Sequence, residues 1–572
     1  MEASKRGLAG LLRSSSRHGL STVRQRPNPQ LHGPVLVPSI RGLSQARYSR
    51  SQNQRIARRA TLPLLGGITL IAAASLLWPS DVQAEAPPEE GMMANTVKKL
   101  RLADVRKHGS EETGYWITRG TRVYDVTEWV PNHPGGDVIL RGVGGAVDPY
   151  WRIFSIHNKQ EVYDILEQYY IGDIDPQDLV DGAIPQNSIE DPFATDPKRD
   201  ARLKQHTDRP CNAETPTTEL GTYHTPNEVF YVRNHLWVPE TKAEDHKLTI
   251  ELYDGEERVY TMDELRTKFK QYTIDAVMQC SGNRRSHMSK GARKTNGVQW
   301  NVGAIGNAQW TGVRLRDVLK DAGMNVDNPD EEVQHAQFMG SEAYGASIPI
   351  DKALDRRGDV MLAFEMNGEP IPRDHGYPLR VIVPGNVAAR SVKWIKKITL
   401  SDEESHSQWQ RRDYKCFGPN EGSKPDWDSA ASIQEMPVQS AITSLKDVSC
   451  LGPMSKEDHQ LLEVFGLEED CVKLEGYAYS GGGHKIVRVD ISADNGHTWS
   501  QAELLDDAPR GSKDWSWQRW RFGISQRLCG RWFLVKAVDD AYNSQSPDFD
   551  SQYNFRGNLA TAWHRVEYIQ PS

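Results

Sequence analysis

Apolar periodicity lapses between Gly172 and Asp200 in this chain of 572 residues, and Asp, Pro, Gln and Asn take its place. A stretch without an apolar stripe has no face to bury, so residues 176–200 read as a flexible, acidic linker. The chain on either side must then fold as separate domains, as its length also favours. With 38 % hydrophobic residues and a mean hydropathy of −0.63, most of it is expected to be soluble. Sixteen tryptophans supply large anchors for more than one core.

Residues 95–175 read as a small α+β unit. Tyr115-Trp116-Ile117 and Val123-Tyr124-Asp125-Val126 are short β runs either side of Gly120, and Gln160 to Tyr170 carries Val162, Ile165, Leu166 and Tyr169 on one helical face. Residues 201–430 mix strand-like runs (Val381-Ile382-Val383, Trp394 to Leu400) with short helices such as Val313 to Ala322. Regular βαβ alternation is missing, which favours α+β over a doubly wound sheet. In residues 431–572 the pattern is β throughout. Val487, Val489 and Ile491 alternate, Asn495-Gly496 supplies a hairpin turn, and Trp532 to Val538 is a further strand. That pattern predicts an all-β sandwich of immunoglobulin type.

The first 80 residues differ sharply from the rest, with twelve Lys or Arg against one acid, Glu2. An Arg-rich, Ser-rich, acid-poor start is the composition of a mitochondrial presequence; a basic tail for nucleic acid is the alternative. The apolar, uncharged run Leu62–Trp78 that follows favours the first reading, as the hydrophobic half of a two-step sorting signal for the intermembrane space. At 17 residues it is borderline for a bilayer span of about 20. Cleavage just beyond Trp78, which would leave no membrane span, is expected; a retained membrane anchor is the alternative. Residues 1–80 carry +11, so on a whole-chain charge of −8 the remainder carries −19. That body repels nucleic acid and steers basic partners toward itself. The six cysteines contain no CxxC pair; Cys450 and Cys471 are a candidate disulfide in an oxidising compartment.

Two constellations carry chemistry. His133 is followed by Pro134-Gly135-Gly136, a tight turn that projects an imidazole while its backbone approaches a flat ring, and His157 lies 24 residues on. Two neutral imidazoles on opposite faces of one iron make a six-coordinate electron carrier with no open position. The second constellation is Cys280-Ser281-Gly282-Asn283-Arg284-Arg285, at the end of the apolar run Thr273 to Gln279. A soft thiolate beside two guanidiniums suits a heavy metal that meets an oxyanion, with Arg284 and Arg285 favouring the thiolate. Read alone, a histidine is more often a turn residue, and a cysteine before two arginines more often a buried thiol.

The segments around them alter that balance. Val126-Thr127-Glu128-Trp129 through His133, then Asp148-Pro149-Tyr150-Trp151 and His157-Asn158, resemble the cytochrome b5 family. Phe230 to Leu236, Cys280 to Arg285, Arg373 to Arg380, Ser391-Val392-Lys393-Trp394, Trp409 to Tyr414, Arg556-Gly557 and Ala562 to Arg565 resemble the sulfite oxidase family. That likeness runs from about residue 95 onward, in the haem-first order of animal-type members. It implies haem b bound by His133 and His157, and molybdenum–molybdopterin with Cys280 as the protein's molybdenum ligand. It also implies a pterin pocket of Tyr231, Val232, Arg233, Asn234, His235, His375, Arg380, Ser391, Val392 and Lys393. The family has an acid in a longer loop before Ala-Tyr-Gly; here Gly340-Ser341-Glu342 runs straight into Ala343-Tyr344-Gly345, so either Glu342 takes that acid's place in the pocket or the contact is lost.

Sulfite is the substrate so implied, met by Arg233, Arg285, Trp300, Tyr414 and Arg556, with electrons leaving through the haem to cytochrome c. A homodimer through the third domain is implied as well. Two other readings share some of these features. A plant-type nitrate reductase has both modules, but places the molybdenum domain first and appends a flavin domain. A haem-only shuttle with a degenerate pterin domain would not need Cys280, Arg233 and Tyr414.

Overall fold

The structure is a computed structural model that describes residues 97–570, apart from Pro134, 419–420, 423, 451–453 and 506–512. The basic presequence and the run Leu62–Trp78 lie outside the described residues. Among those described, no helix is long and apolar enough to cross a membrane.

In the first module a turn at Gly120 joins Gly114–Arg119 to Arg122–Asp125, pairing Ile117 with Tyr124 and Thr118 with Val123. Alternation then divides the side chains between two faces. Ile117 and Tyr124 join Val126, Val147, Trp151 and Leu166 in one cluster, while Val123 joins Leu100, Val105 and Ile174 in another. The helix is Gln160–Glu167, shorter than its apolar face suggests. Tyr170 already begins the strand Tyr170–Ile174, whose pairing with Arg122–Asp125 and Lys99–Leu100 outweighs another helical turn.

Residues 176–200, expected as a flexible linker, make short turns at Pro176–Asp178 and Gln186–Ser188. Their second half is tied down. Phe193 packs on the central core, and Arg199 bonds both Asp196 and Asp374.

The central region is α+β. One five-stranded sheet runs Glu257–Thr261, Lys247–Glu251, Ile395–Ser401, His335–Gly340, Gly345–Pro349. A second is built on Gln271–Gln279, Ile305–Arg314 and Met361–Met366, with Arg380–Ile382 on the far side of the last. Leu248, Ile250, Val318, Phe338, Ile348 and Ile398 are fully buried in its main core. Val313, expected at a helix start, instead continues the strand because Gln271 and Leu362 pair it from both sides. The helix begins at Leu315.

The last region is a β-sandwich, though not β throughout: the helix Lys456–Phe465, capped by Ser455 and burying Leu461 and Leu462, follows its first strand. One sheet holds Gln439–Val448, Cys471–Tyr479, Gln518–Ser525 and Glu503–Leu504; the other holds Ser500–Gln501, Ile486–Ser492, Trp532–Asp539 and His564–Glu567. Val472, Leu474, Trp520 and Phe522 meet Val489, Ile491, Phe533 and Val535 between them, as alternation on two inner faces requires. All six cysteines are free, so the candidate Cys450–Cys471 disulfide does not form. Cys471 belongs to a small apolar cluster with Leu461 and Leu462, and Cys450 packs against that cluster as a free thiol.

Candidate active site and haem site

The two haem-ligand candidates face each other. Their rings are parallel to within 3°, with centroids 6.2 Å apart. A metal held between two imidazole nitrogens by bonds of about 2 Å needs a gap of this order. Each Nδ1 lies against a backbone carbonyl: His133 at 3.2 Å from Gly136 O and His157 at 3.1 Å from Phe154 O. Those bonds place the proton on Nδ1 and leave Nε2 as the metal donor. Burial lowers both imidazole pKa values, which keeps the ligating neutral form. Trp151 stacks on His157 at 5.1 Å, and Phe154 meets it edge-on at 6.0 Å. A β-carbon on Gly135 would come within 2.8 Å of the His133 ring, so a side chain there would push the imidazole out of place. The geometry fits a bis-imidazole haem.

Cys280 follows the strand Gln271–Gln279 directly and is 5 % exposed. Its N–H donates to Ala304 O at 3.0 Å, and its own carbonyl accepts from Asn283 N at 3.0 Å. The turn is tight. Arg284 takes a left-handed φ of 63°, and a β-carbon on Gly282 would sit 2.7 Å from the Arg285 guanidinium. Cys280 opens into a cleft lined by Tyr231, Arg233, Asn234, His235, Glu342, His375, Arg380, Ser391, Val392, Lys393 and Tyr414. The structure thus brings together eleven expected residues around the thiol, drawn from strands and turns far apart in sequence.

Cations dominate the walls. Arg380 donates through Nη1 to His375 O at 2.8 Å and through Nη2 to Ser391 O at 3.0 Å, while its buried Nε has no partner among the described residues. Lys393 Nζ donates to Asp374 O at 2.9 Å, to Arg233 O at 3.2 Å and to the Asn234 side chain. Arg233 donates to Asn234 O at 2.6 Å and Asn212 Oδ1 at 3.0 Å. The Tyr414 hydroxyl lies 2.8 Å from His235 Nε2, on a backbone with φ of 34°. Burial pushes the Tyr414 phenol up to about 12, against the pull of Arg233, so it stays a donor. Burial drives His235 well below its ordinary range and His375 down to about 3, so both are neutral. Orphaned polar atoms (Arg380 Nε, Glu342 Oε2) in a cation-walled cleft, with one thiol, fit a phosphorylated dithiolene pterin.

Four expected site residues stand outside that lining. Val232 pairs with Ala213 and packs among Leu203, Cys211 and Val229. Trp300 is fully buried behind Cys280, edge-on to His206 at 5.1 Å. Arg285 spends its guanidinium on Arg556 O, Val298 O and Asn558 Oδ1, at 2.8, 2.9 and 3.1 Å. Arg556 pairs with Asp413, next to Tyr414. Arg284, expected beside the thiolate, donates instead to Gln439 Oε1 and Ser440 O of the sandwich at 2.8 and 3.2 Å. Sequence reasoning missed Asp374, held by Arg199 and by Asn234 Nδ2 at 2.9 Å, which anchors the loop bearing His375.

Glu342 gives a pH signature. Burial raises its carboxyl to about 8, whereas burial lowers Lys393 to about 7. An unfolded chain releases the Glu proton near 4.5. The folded protein holds it longer, so this group costs stability as pH rises from 4.5 toward 8. Lys393 acts with the opposite sign above 7. The variant Glu342→Gln of the cofactor-free protein is therefore expected to match the parent's melting temperature at pH 5 and exceed it at pH 8. Calorimetry at the two pH values decides, and an equal gap at both would exclude a titrating carboxyl.

Comparison with known proteins agrees with the geometry. The cytochrome b5-like haem/steroid binding domain matches residues 101–175, the oxidoreductase molybdopterin binding domain 235–409, and the Mo-co oxidoreductase dimerisation domain 430–570. The mitochondrial sulfite oxidase of Homo sapiens is 42 % identical over 82 % of this chain and 84 % of its own. That of Drosophila melanogaster is 43 % identical over 82 % and 80 %, and the sulfite oxidase of Gallus gallus 41 % over 81 % and 98 %. In structure, the sulfane dehydrogenase SoxCD of Paracoccus pantotrophus shares the fold with a TM-score of 0.50 at 24 % identity, covering 68 % of this chain and 96 % of that one. With a haem module, a molybdopterin domain and a dimerisation domain in that order, the chain belongs to the sulfite oxidase family.

Proposed function

We propose that this protein oxidises sulfite to sulfate at a molybdenum–pterin centre bound by Cys280, and sends the electrons through haem b on His133 and His157 to cytochrome c. The observation that carries the reading is one cleft in which a buried thiol, a neutral phenol and several cations converge. Bound there, the cofactor supplies oxygen-atom transfer and accepts two electrons. The chain's own residues do the rest. Arg380, whose Nε is unpartnered among the described residues, would offer a donor to pterin or phosphate oxygens, while Lys393 holds the Arg233, Asn234 and Asp374 walls in place. Arg233, beside both Tyr414 and Cys280, holds the anion, and burial in a low-dielectric wall strengthens that attraction. Arg285 and Arg556 act from behind, by fixing the Cys280 turn and the Asp413-Tyr414 backbone.

Tyr414 donates its hydroxyl proton to an oxygen of the bound anion. A hydrogen bond to a charged group contributes about 1.5–3 kcal/mol, so Tyr414→Phe should lower kcat/KM for sulfite roughly 10- to 100-fold. Steady-state kinetics with ferricyanide as acceptor measures this, and a value within twofold of the parent would remove Tyr414 from the reaction. The reading as a whole is tested by stopped-flow absorbance after adding sulfite. The haem should reduce in protein that holds about one molybdenum per chain. Haem without molybdenum would favour an electron shuttle instead.

The acidic body and the basic, Ser-rich start support an intermembrane-space protein of mitochondria, cleaved beyond Trp78. A charge of −19 suits a basic one-electron acceptor such as cytochrome c, whose reduction should slow as salt is raised. The sandwich supports a homodimer, given its match to a dimerisation domain.

A further inference from the structure

Two residues past His235, the indole of Trp237 is only 1 % exposed, and side chains of the haem module help to bury it. Tyr150 meets it edge-on at 5.6 Å, Phe154 edge-on at 6.3 Å, and the Arg141 guanidinium sits 5.0 Å above the ring. Val138 and Ile153 pack on the same core cluster. These side chains come from the two segments that present the haem ligands: Gly136–Gly142 follows His133, and Asp148–Ile153 with Phe154 precedes His157. The Tyr150 hydroxyl donates to Arg141 O at 3.0 Å, which locks the two segments together around the indole.

The same few residues span the distance between the two sites. On one side His235 lines the cleft and touches Tyr414; on the other Phe154 touches His157. A tryptophan normally fills the core of its own domain. Here the module that carries the haem completes its burial, and withdrawal of that module would expose an indole and an unpartnered cation–π face.

We propose that Trp237 is the docking post of the haem module, and that this docked arrangement is the one in which electrons leave the cleft for the haem. The second half of the proposal rests on the sulfite-oxidising function inferred above. Sulfite and water yield sulfate, two protons and two electrons. The docked haem takes one electron, ferric to ferrous, and must pass it to a one-electron acceptor before it can take the next. The Trp237 contact thus sets how often a productive visit occurs, without touching substrate.

The test uses the full holoenzyme and two variants. Arg141→Glu alters an exposed side chain of the haem module and leaves the indole in place, whereas Trp237→Ala removes the indole. Each should slow sulfite-driven haem reduction about tenfold or more, by lowering the docked fraction. Trp237→Phe, which keeps an aromatic edge for Tyr150 and Phe154, should recover most of the rate. The haem spectrum and the KM and kcat for sulfite with ferricyanide should stay within twofold throughout. Hydrogen exchange at residues 138–154 and 236–238 should rise in Arg141→Glu. That measurement needs no sulfite, so it separates a failure of docking from a failure of the proposed reaction. Unchanged haem reduction in Arg141→Glu, or unchanged exchange on both segments, overturns the proposal even where Trp237→Ala does not fold.

Discussion

Cys280→Ser is expected to keep the haem spectrum of the parent and to lose sulfite-driven haem reduction. Serine preserves the shape of the side chain and the turn around it, since the bonds to Ala304 and from Asn283 belong to the backbone. The haem module has two clusters of its own, and the side chains it lends to the central domain join the cluster of Trp237 rather than the one holding Cys280, so nothing in its fold depends on the sulfur. What changes is the donor. A hydroxyl is a hard, weakly acidic ligand, and soft metal centres select thiolate. Outer-sphere substitutions alone cost 10- to 100-fold in metal affinity or activity, so loss of the ligating atom should exceed about 100-fold. Stopped-flow absorbance at the haem, paired with molybdenum analysis, measures both halves. Reduction at a tenth of the parent rate or faster would show that the thiol is only a packed cysteine.

Local spacing carried the parts of this protein that sequence can reveal. His133 before two glycines and Cys280 at the end of an apolar run each sit where a strand or turn of a few residues presents them, and both appear there in the fold. Gly135 makes the point physically, because a β-carbon there would meet the His133 ring two positions away. The direction of a long side chain is another matter. Arg285 follows the thiol in sequence, yet its guanidinium is spent on partners at Val298, Arg556 and Asn558. Arg284 points to the sandwich for the same reason, and Arg556 reaches Asp413 rather than open cleft. Arg199 sat within an apparent linker because a polar segment has no apolar period, although its ion pair with Asp374 organises one wall of the cleft. A local pattern records which face is buried, but not which distant carboxylate or carbonyl a cation will find.

His133→Ala should produce the complementary loss. Haem content is expected to fall, and whatever haem remains should lose the six-coordinate spectrum of the parent, because one of the two imidazole donors is gone. Reduction of cytochrome c should fall with it, while sulfite oxidation with ferricyanide, which draws electrons at the molybdenum centre, stays within twofold. The fold tolerates the change: among the described residues the side chain's hydrogen bond is to Gly136 O alone, and it lies outside the cluster formed by Ile117, Tyr124, Val126 and Trp151. Alanine leaves a space where the ring stood, so added free imidazole should restore part of the haem absorbance by supplying the missing nitrogen. That rescue separates loss of a ligand from collapse of the module, since no small molecule rebuilds a missing core. A variant that keeps the parent's six-coordinate haem spectrum without imidazole would move that iron ligand away from residue 133, and with it the parallel ring geometry on which the haem assignment stands.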